Sequence, residues 1–155
     1  MRTRARILLP MTQRPPERDE LETLLDPLLG FAQDMLRKHG EFYPFGNVMT
    51  SDGEVSLLGA DTGSERPPSQ EVIDLLVGGL RVRAAAGEIK AAGICYDVRI
   101  RGADGKTTDA IAVALEHRAG DVVTVFVPYS KGRFTGMKFG ELSAAPGERR
   151  VFVAD

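Results

Sequence analysis

The chain holds one thiol and two imidazoles, Cys95, His39 and His117. A catalytic cysteine needs a neighbouring base to hold it as thiolate. Cys95 lies in AAGICYDV, residues 91–98, among apolar residues, and neither histidine stands beside it in sequence. A free cysteine in that setting is a buried, inert side chain, so a structural thiol is expected. Asp97 and Glu116 are the carboxylates that strand alternation brings closest, on one sheet face of adjacent strands; such a pair does acid–base work or binds a cation. Both stand near strand ends, where charges are solvated, and Arg99 or Arg101 is placed to pair with Glu116 across strands. No group of His, Cys, Asp and Glu has metal-ligand spacing. No catalytic residue, cofactor site or metal site is assigned, and the chain reads as non-enzymatic.

Two aromatic stretches remain. Residues 129–141, YSKGRFTGMKFGE, interleave Lys131, Arg133 and Lys138 with Tyr129, Phe134 and Phe139. Cations with aromatics bind single-stranded nucleic acid. Three cations on a chain of formal charge −2 neutralise few phosphates, and affinity scales with that number. A solvated hairpin with anchoring aromatics is therefore expected, not a nucleic-acid site. The glycines at 132, 136 and 140 match no phosphate-loop pattern. Residues 42–46, Phe-Tyr-Pro-Phe-Gly, place three aromatics in four positions. Pro44 cannot donate to a sheet ladder, so this strand lies at an edge or begins after the proline. The segment is either an aromatic plug under the first helix or a recognition edge with Tyr43 and Phe45 as anchors.

These residues need elements to position them. Leu21, Leu24, Leu25, Leu28, Ala32, Met35 and Leu36 recur at three- and four-residue spacing, which predicts an amphipathic helix over 18–39. Acids open it, bases close it, and Gly40 stops it. Pro27 either kinks it or divides it. Strands follow at 42–49 and 54–60, joined by the Asp52-Gly53 turn. A second helix is expected from Ser69, as its N-cap, to Gly87. Its Gly78-Gly79 pair is explained if the helix lies close against a sheet. Three strands at 89–101, 107–117 and 122–129 come next, with links short enough for antiparallel hairpins. Two weaker strands, 136–142 and 149–153, make an extended C-terminal segment.

The order α-β-β-α-β-β-β predicts an α+β fold: an antiparallel five-stranded sheet with helices on one face. Alternation gives strands 89–101 and 107–117 a bulky and a small face. Ala91, Gly93 and Cys95 form the small set of the first strand, and Ala110, Ala112 and Ala114 that of the second. Together they make one small, uncharged sheet face, opposite the bulky face that packs under the helices, and it is too plain to be solvated. The chain's own C-terminal segment or a helix layer, a partner or second copy, and a small ligand are its three candidate covers. The interaction residues assigned on this face and on the 42–46 edge are Tyr43, Phe45, Cys95, Asp97, Ala112 and Glu116.

Over residues 18–129 the element order resembles profilin-like and roadblock-type domains. Phe42-Tyr43-Pro44-Phe45-Gly46, the Asp-Gly hairpin and residues 92–98 (AGICYDV) resemble a group of uncharacterised bacterial proteins; that likeness implies no activity.

At 155 residues, 43% hydrophobic and 27% charged, one globular domain is expected over 18–155. Residues 1–17, with four arginines before the first acid, read as a flexible arm, and Met11 is an alternative start. The lone cysteine excludes an internal disulfide and suits a reducing cytoplasm. No apolar run is long enough to span a bilayer. The leading expectation is a non-enzymatic, cytoplasmic protein-interaction module that forms a homodimer. A toxin-neutralising or regulatory partner protein and a small-ligand sensor are the alternatives.

Overall fold

The computed structural model describes residues 17–60, 62–102 and 104–153. The expected arm over 1–17, except Glu17, and the Met11 alternative lie outside the described residues. The elements are α1 (Arg18–His39), β1 (Phe45–Thr50), β2 (Val55–Leu58), α2 (Ser69–Ala85), β3 (Ile89–Arg101), β4 (Thr107–His117), β5 (Val122–Gly132), β6 (Gly136–Phe139) and β7 (Ser143–Pro146). The sheet is antiparallel with order β2-β1-β3-β4-β5-β6, and β7 pairs with β5 beside β6. The expected five strands are thus seven. The C-terminal segment supplies β6 and β7, because the long β5 presents enough free edge for both. Among the described residues no helix is long and apolar enough to cross a membrane.

α1 runs unbroken through Pro27. Its stripe of Leu21, Leu24, Leu25, Leu28, Ala32 and Leu36 is buried. The buried Asn47 amide donates to the Leu24 carbonyl at 3.0 Å, fixing the helix on β1. Gly40 takes a left-handed φ of 74° and its N–H caps the Leu36 carbonyl, the geometry glycine permits without Cβ strain. The start of α1 is latched to the sheet by charge. Arg18 grips Asp121 with two bonds of 2.6 Å, both side chains almost wholly buried. Glu20 accepts from Lys90 and contacts His117 Nε2 at 3.0 Å. A one-residue irregularity where β3 meets the end of β1 sets Thr50 opposite Ile89 and Met49 opposite Ala91, which leaves Lys90 free to turn toward Glu20.

α2 begins differently from expectation. Pro68, not Ser69, holds the N-cap position, with φ −59° and ψ 139°. Its ring presets the extended conformation that precedes a helix, and its carbonyl accepts the Val72 N–H. Ser69 is the first residue inside. Gly78 and Gly79 are exposed, and a Cβ on either would meet nothing within 4 Å. Close packing on the sheet is therefore not their reason, because they face away from it.

The two helices lie on opposite faces of the sheet, not on one. The α1 side buries Phe45, Met49, Cys95, Ile111, Val113, Leu115, Val123, Val125 and Val127. The α2 side buries Val48, Val72, Leu76, Leu80, Ile89, Ala92, Ile94 and Val151. Register explains both faces. Cys95 pairs with Val113 and Arg101 with Thr107 across a five-residue link, so the paired numbers always sum to an even value. Residues of equal parity then share a face. The small set of β3 is odd-numbered and that of β4 even-numbered, so they lie on opposite faces. No single small-residue face exists: on each face the small residues of β3 or β4 lie beside the large residues of the other strand. Gly93 shows how tight the α1 face is, since a Cβ there would come within 2.6 Å of Leu28 and 2.8 Å of Asn47.

Residues 149–153 form no strand. They cross the α2 side of the sheet, and the buried Glu116 carboxylate holds them. It accepts from the backbone N–H groups of Arg150 (2.8 Å), Val151 (3.1 Å) and Phe152. A side chain replaces the ladder expected of a strand over 149–153.

Candidate interaction edge

β1 begins at Phe45, directly after Pro44, and sits between β2 and β3. The Phe-Tyr-Pro-Phe string is therefore not a sheet edge; it is the corner where the chain enters the sheet. Phe45 is buried and packs on Phe31 of α1 at 4.8 Å between centroids and edge-on to Phe42 at 6.2 Å. Tyr43 stays 41% exposed. These rings and the β2–α2 connection bound a groove of about 300 Å³, lined also by Ala60 and Pro67. Plug and exposed anchor coexist: Phe45 fills the corner and Tyr43 stands outside it.

The edge is β2. Thr50 and Glu54 close its turn, with the Glu54 N–H donating to Thr50 Oγ1 at 3.0 Å and the Gly53 N–H to the Thr50 carbonyl at 2.8 Å. Val55 pairs with Met49 and Leu57 with Asn47, which places both on the α1 side, beyond the helix. They are 39% and 52% exposed. The strand Val-Ser-Leu-Leu carries no charge and no proline, and its outer N–H and C=O groups have no neighbouring strand among the described residues. Edges of this kind are normally blunted by charge, proline or interruption. The opposite edge is interrupted and carries both charge and proline: it is split into two strands, each four residues long like β2, with Lys138 in one and Pro146 in the other.

The remaining sequence-assigned residues fall in four places. Cys95 is buried on the α1 side, its thiol 3.9 Å from the Leu28 carbonyl; burial, with the Asp97 charge second, pushes it well above the usual thiol range. Ala112 is fully buried on the other side, flanked through the register by Tyr96 and Phe126. Neither presents surface to a partner. Asp97 shares the α1 side with Tyr129, whose hydroxyl donates to it at 2.8 Å. Burial raises the Asp97 carboxyl, and the tyrosine bond opposes the rise. Glu116, opposite Ala92 on the α2 side, holds the C-terminal tail. Asp97 and Glu116 therefore face opposite ways and make no carboxylate pair. Arg99 pairs with Asp109 instead of Glu116.

His117 is engaged at both nitrogens. Nδ1 accepts the Ala119 N–H at 3.1 Å, so Nε2 carries the proton that faces Glu20. Lys90, then burial in opposition, then His117 set the Glu20 carboxyl, whose net shift is downward. Among the described residues no three His, Cys, Asp or Glu side chains group as metal ligands. In the β5–β6 hairpin Tyr129 and Phe139 are anchored, the latter under Arg37 at 5.0 Å, while Phe134 projects at the tip. Val55, Leu57 and Phe31 escaped the sequence reading. For Val55 and Leu57 the uncharged run near the Asp-Gly turn was the available signal, but its exposure depends on the sheet order; Phe31, in α1, had none.

No family model, no curated protein and no solved structure matches this chain.

Proposed function

We propose that the protein is a non-enzymatic interaction module that self-associates through β2, forming one antiparallel sheet across two copies. The observation that carries this reading is the open, uncharged β2 edge with Val55 and Leu57 exposed on the same side. A two-fold axis normal to the sheet keeps each face continuous, so residues opposed across the axis must have equal parity. Centred on Ser56, it sets Val55 of each copy against Leu57 of the other. The two exposed apolar residues then cover one another, and no like charges oppose within the strand. Main-chain bonds supply the affinity, and the side-chain pair supplies the register. The groove beside Phe31 and Tyr43, at the far end of β2, lies in reach to extend the contact.

Sedimentation equilibrium tests this with the native chain and Leu57→Lys. Leu57 is half exposed, so the lysine is accommodated in the monomer. The native chain is expected to be dimeric at micromolar concentration, with the variant monomeric and unchanged in circular dichroism. A native monomer at millimolar concentration, or an equally dimeric variant, overturns the assignment.

A further inference from the structure

A second surface, remote in sequence from β2, lies between the C-terminal half of α2 and the tail that Glu116 holds. There an open groove of about 640 Å³ is lined by Arg81, Arg118 and Arg149, with Val82, Val151 and Phe152 among the apolar residues. The three guanidinium groups come from three separate elements: a helix, the β4–β5 turn and the tail. Arg81 Nε donates to the Arg150 carbonyl, and Arg118 Nη1 to Ser51 Oγ at 3.2 Å. Neither of these bonds is to a carboxylate, and no acidic side chain lines the groove among the described residues. Three arginines lining one groove that holds no acid is unexpected on a chain with more acids than bases, and of the three Arg81 also borders a neighbouring groove with Asp74 and Glu148.

We infer that this groove binds an acidic peptide segment of a partner protein, one that alternates carboxylate and apolar side chains. The guanidinium fork matches a carboxylate with two parallel hydrogen bonds, which an ammonium does not. The groove also offers apolar surface, so a purely ionic ligand would leave half of it unused. An extended peptide turns successive side chains to opposite sides. It therefore presents acids to Arg81, Arg118 and Arg149 while its apolar residues settle against Val151 and Phe152. The Glu116 bonds to the tail backbone hold the segment that carries Arg149, Val151 and Phe152 beside the groove.

Fluorescence anisotropy tests the inference on the full chain, with a fluorescein-labelled hexapeptide alternating Glu and Leu as probe. A peptide alternating Lys and Leu and a single-stranded oligonucleotide serve as controls. The native chain should bind the acidic probe and not the basic one, and added salt should weaken binding. Arg81→Glu with Arg149→Glu, both at exposed positions, should weaken binding at least about tenfold with an unchanged circular dichroism spectrum. Conservative Arg81→Lys should weaken it less. Absence of binding by the native chain, equal binding of the basic peptide, or unchanged affinity in the double variant overturns the proposal. Tighter binding of the oligonucleotide than of the acidic peptide overturns it in favour of nucleic acid.

Discussion

Replacing Glu116 by alanine should release the C-terminal tail and cost about 3 kcal/mol of stability. Its carboxylate satisfies three successive backbone N–H groups, those of Arg150, Val151 and Phe152, and the side chain is buried. Leaving a buried donor unpaired costs ~1–3 kcal/mol each, so the docked tail would carry a penalty of several kcal/mol. The chain has a cheaper route, which is to lift the tail into water. That route exposes Val151, now almost wholly buried, at ~1.5–3 kcal/mol for a side chain of its size. It also uncovers Phe152, half-buried against the same cluster. The smaller of the two costs sets the observed value, hence about 3 kcal/mol. Glu116→Gln keeps one acceptor oxygen and places an amide donor against N–H groups, so it should lose about half as much. Urea unfolding gives the free energies, and hydrogen exchange at residues 150–152 reports the tail directly. The reasoning is refuted if Glu116→Ala loses less than about 1 kcal/mol while those amides keep their native protection.

Three further outcomes follow from the packing. Gly78→Ala and Gly79→Ala should each stabilise the monomer by ~0.5–1 kcal/mol, since both positions are exposed and the added Cβ meets nothing; thermal unfolding reads the gain, and a loss would mean that the outer face of α2 is covered. Burial, and then the bond to Asp97, hold the Tyr129 phenol above its usual range. A raised folded value means its contribution is complete below the unfolded phenol pKa of about 10 and is lost as pH rises past it. Alkaline spectrophotometric titration should accordingly show one tyrosine ionising only with unfolding, and a stability that stays level above that pH would contradict the assignment. Cys95 should label slowly with a thiol reagent in the native state and rapidly in denaturant; fast native labelling would place the thiol at the surface.

The elements were legible because their periodicities are clean. β3 and β4 show unbroken two-residue alternation, and α1 a single leucine stripe, so their limits follow from residue type alone. Leu24, Leu28, Ile73, Leu80, Ile94, Val113 and Val125, apolar positions of the helices and strands, are all buried. Faces are a different matter, since a one-residue change of register inverts every side chain. The five-residue link 102–106 carries the needed information: it forces equal parity across β3 and β4, and hence separates Cys95 from Ala112 and Asp97 from Glu116. The side of the sheet taken by α2 was not legible, because either face of β3 offers apolar residues to a helix. The pairing of β1 with β3 is equally silent in local sequence, as nothing in residues 45–50 names a neighbour forty residues away. Exposure of Val55 and Leu57 follows from that long-range pairing, which is why the candidate edge emerged only in three dimensions. The tail clasp was hidden for a related reason: its acceptor is a side chain, and backbone donors carry no sequence signature.

The most direct measurement on β2 is hydrogen exchange of its backbone amides at low and high protein concentration. Those N–H groups of residues 55–58 that do not bond to β1 point outward in one copy and into the shared ladder in two. Their exchange should slow as concentration rises through the dimerisation range, while amides of β4, central in the sheet, stay constant. Concentration-independent exchange at residues 55–58, in a sample shown to be dimeric, would contradict pairing through β2 and place the contact elsewhere on the molecule.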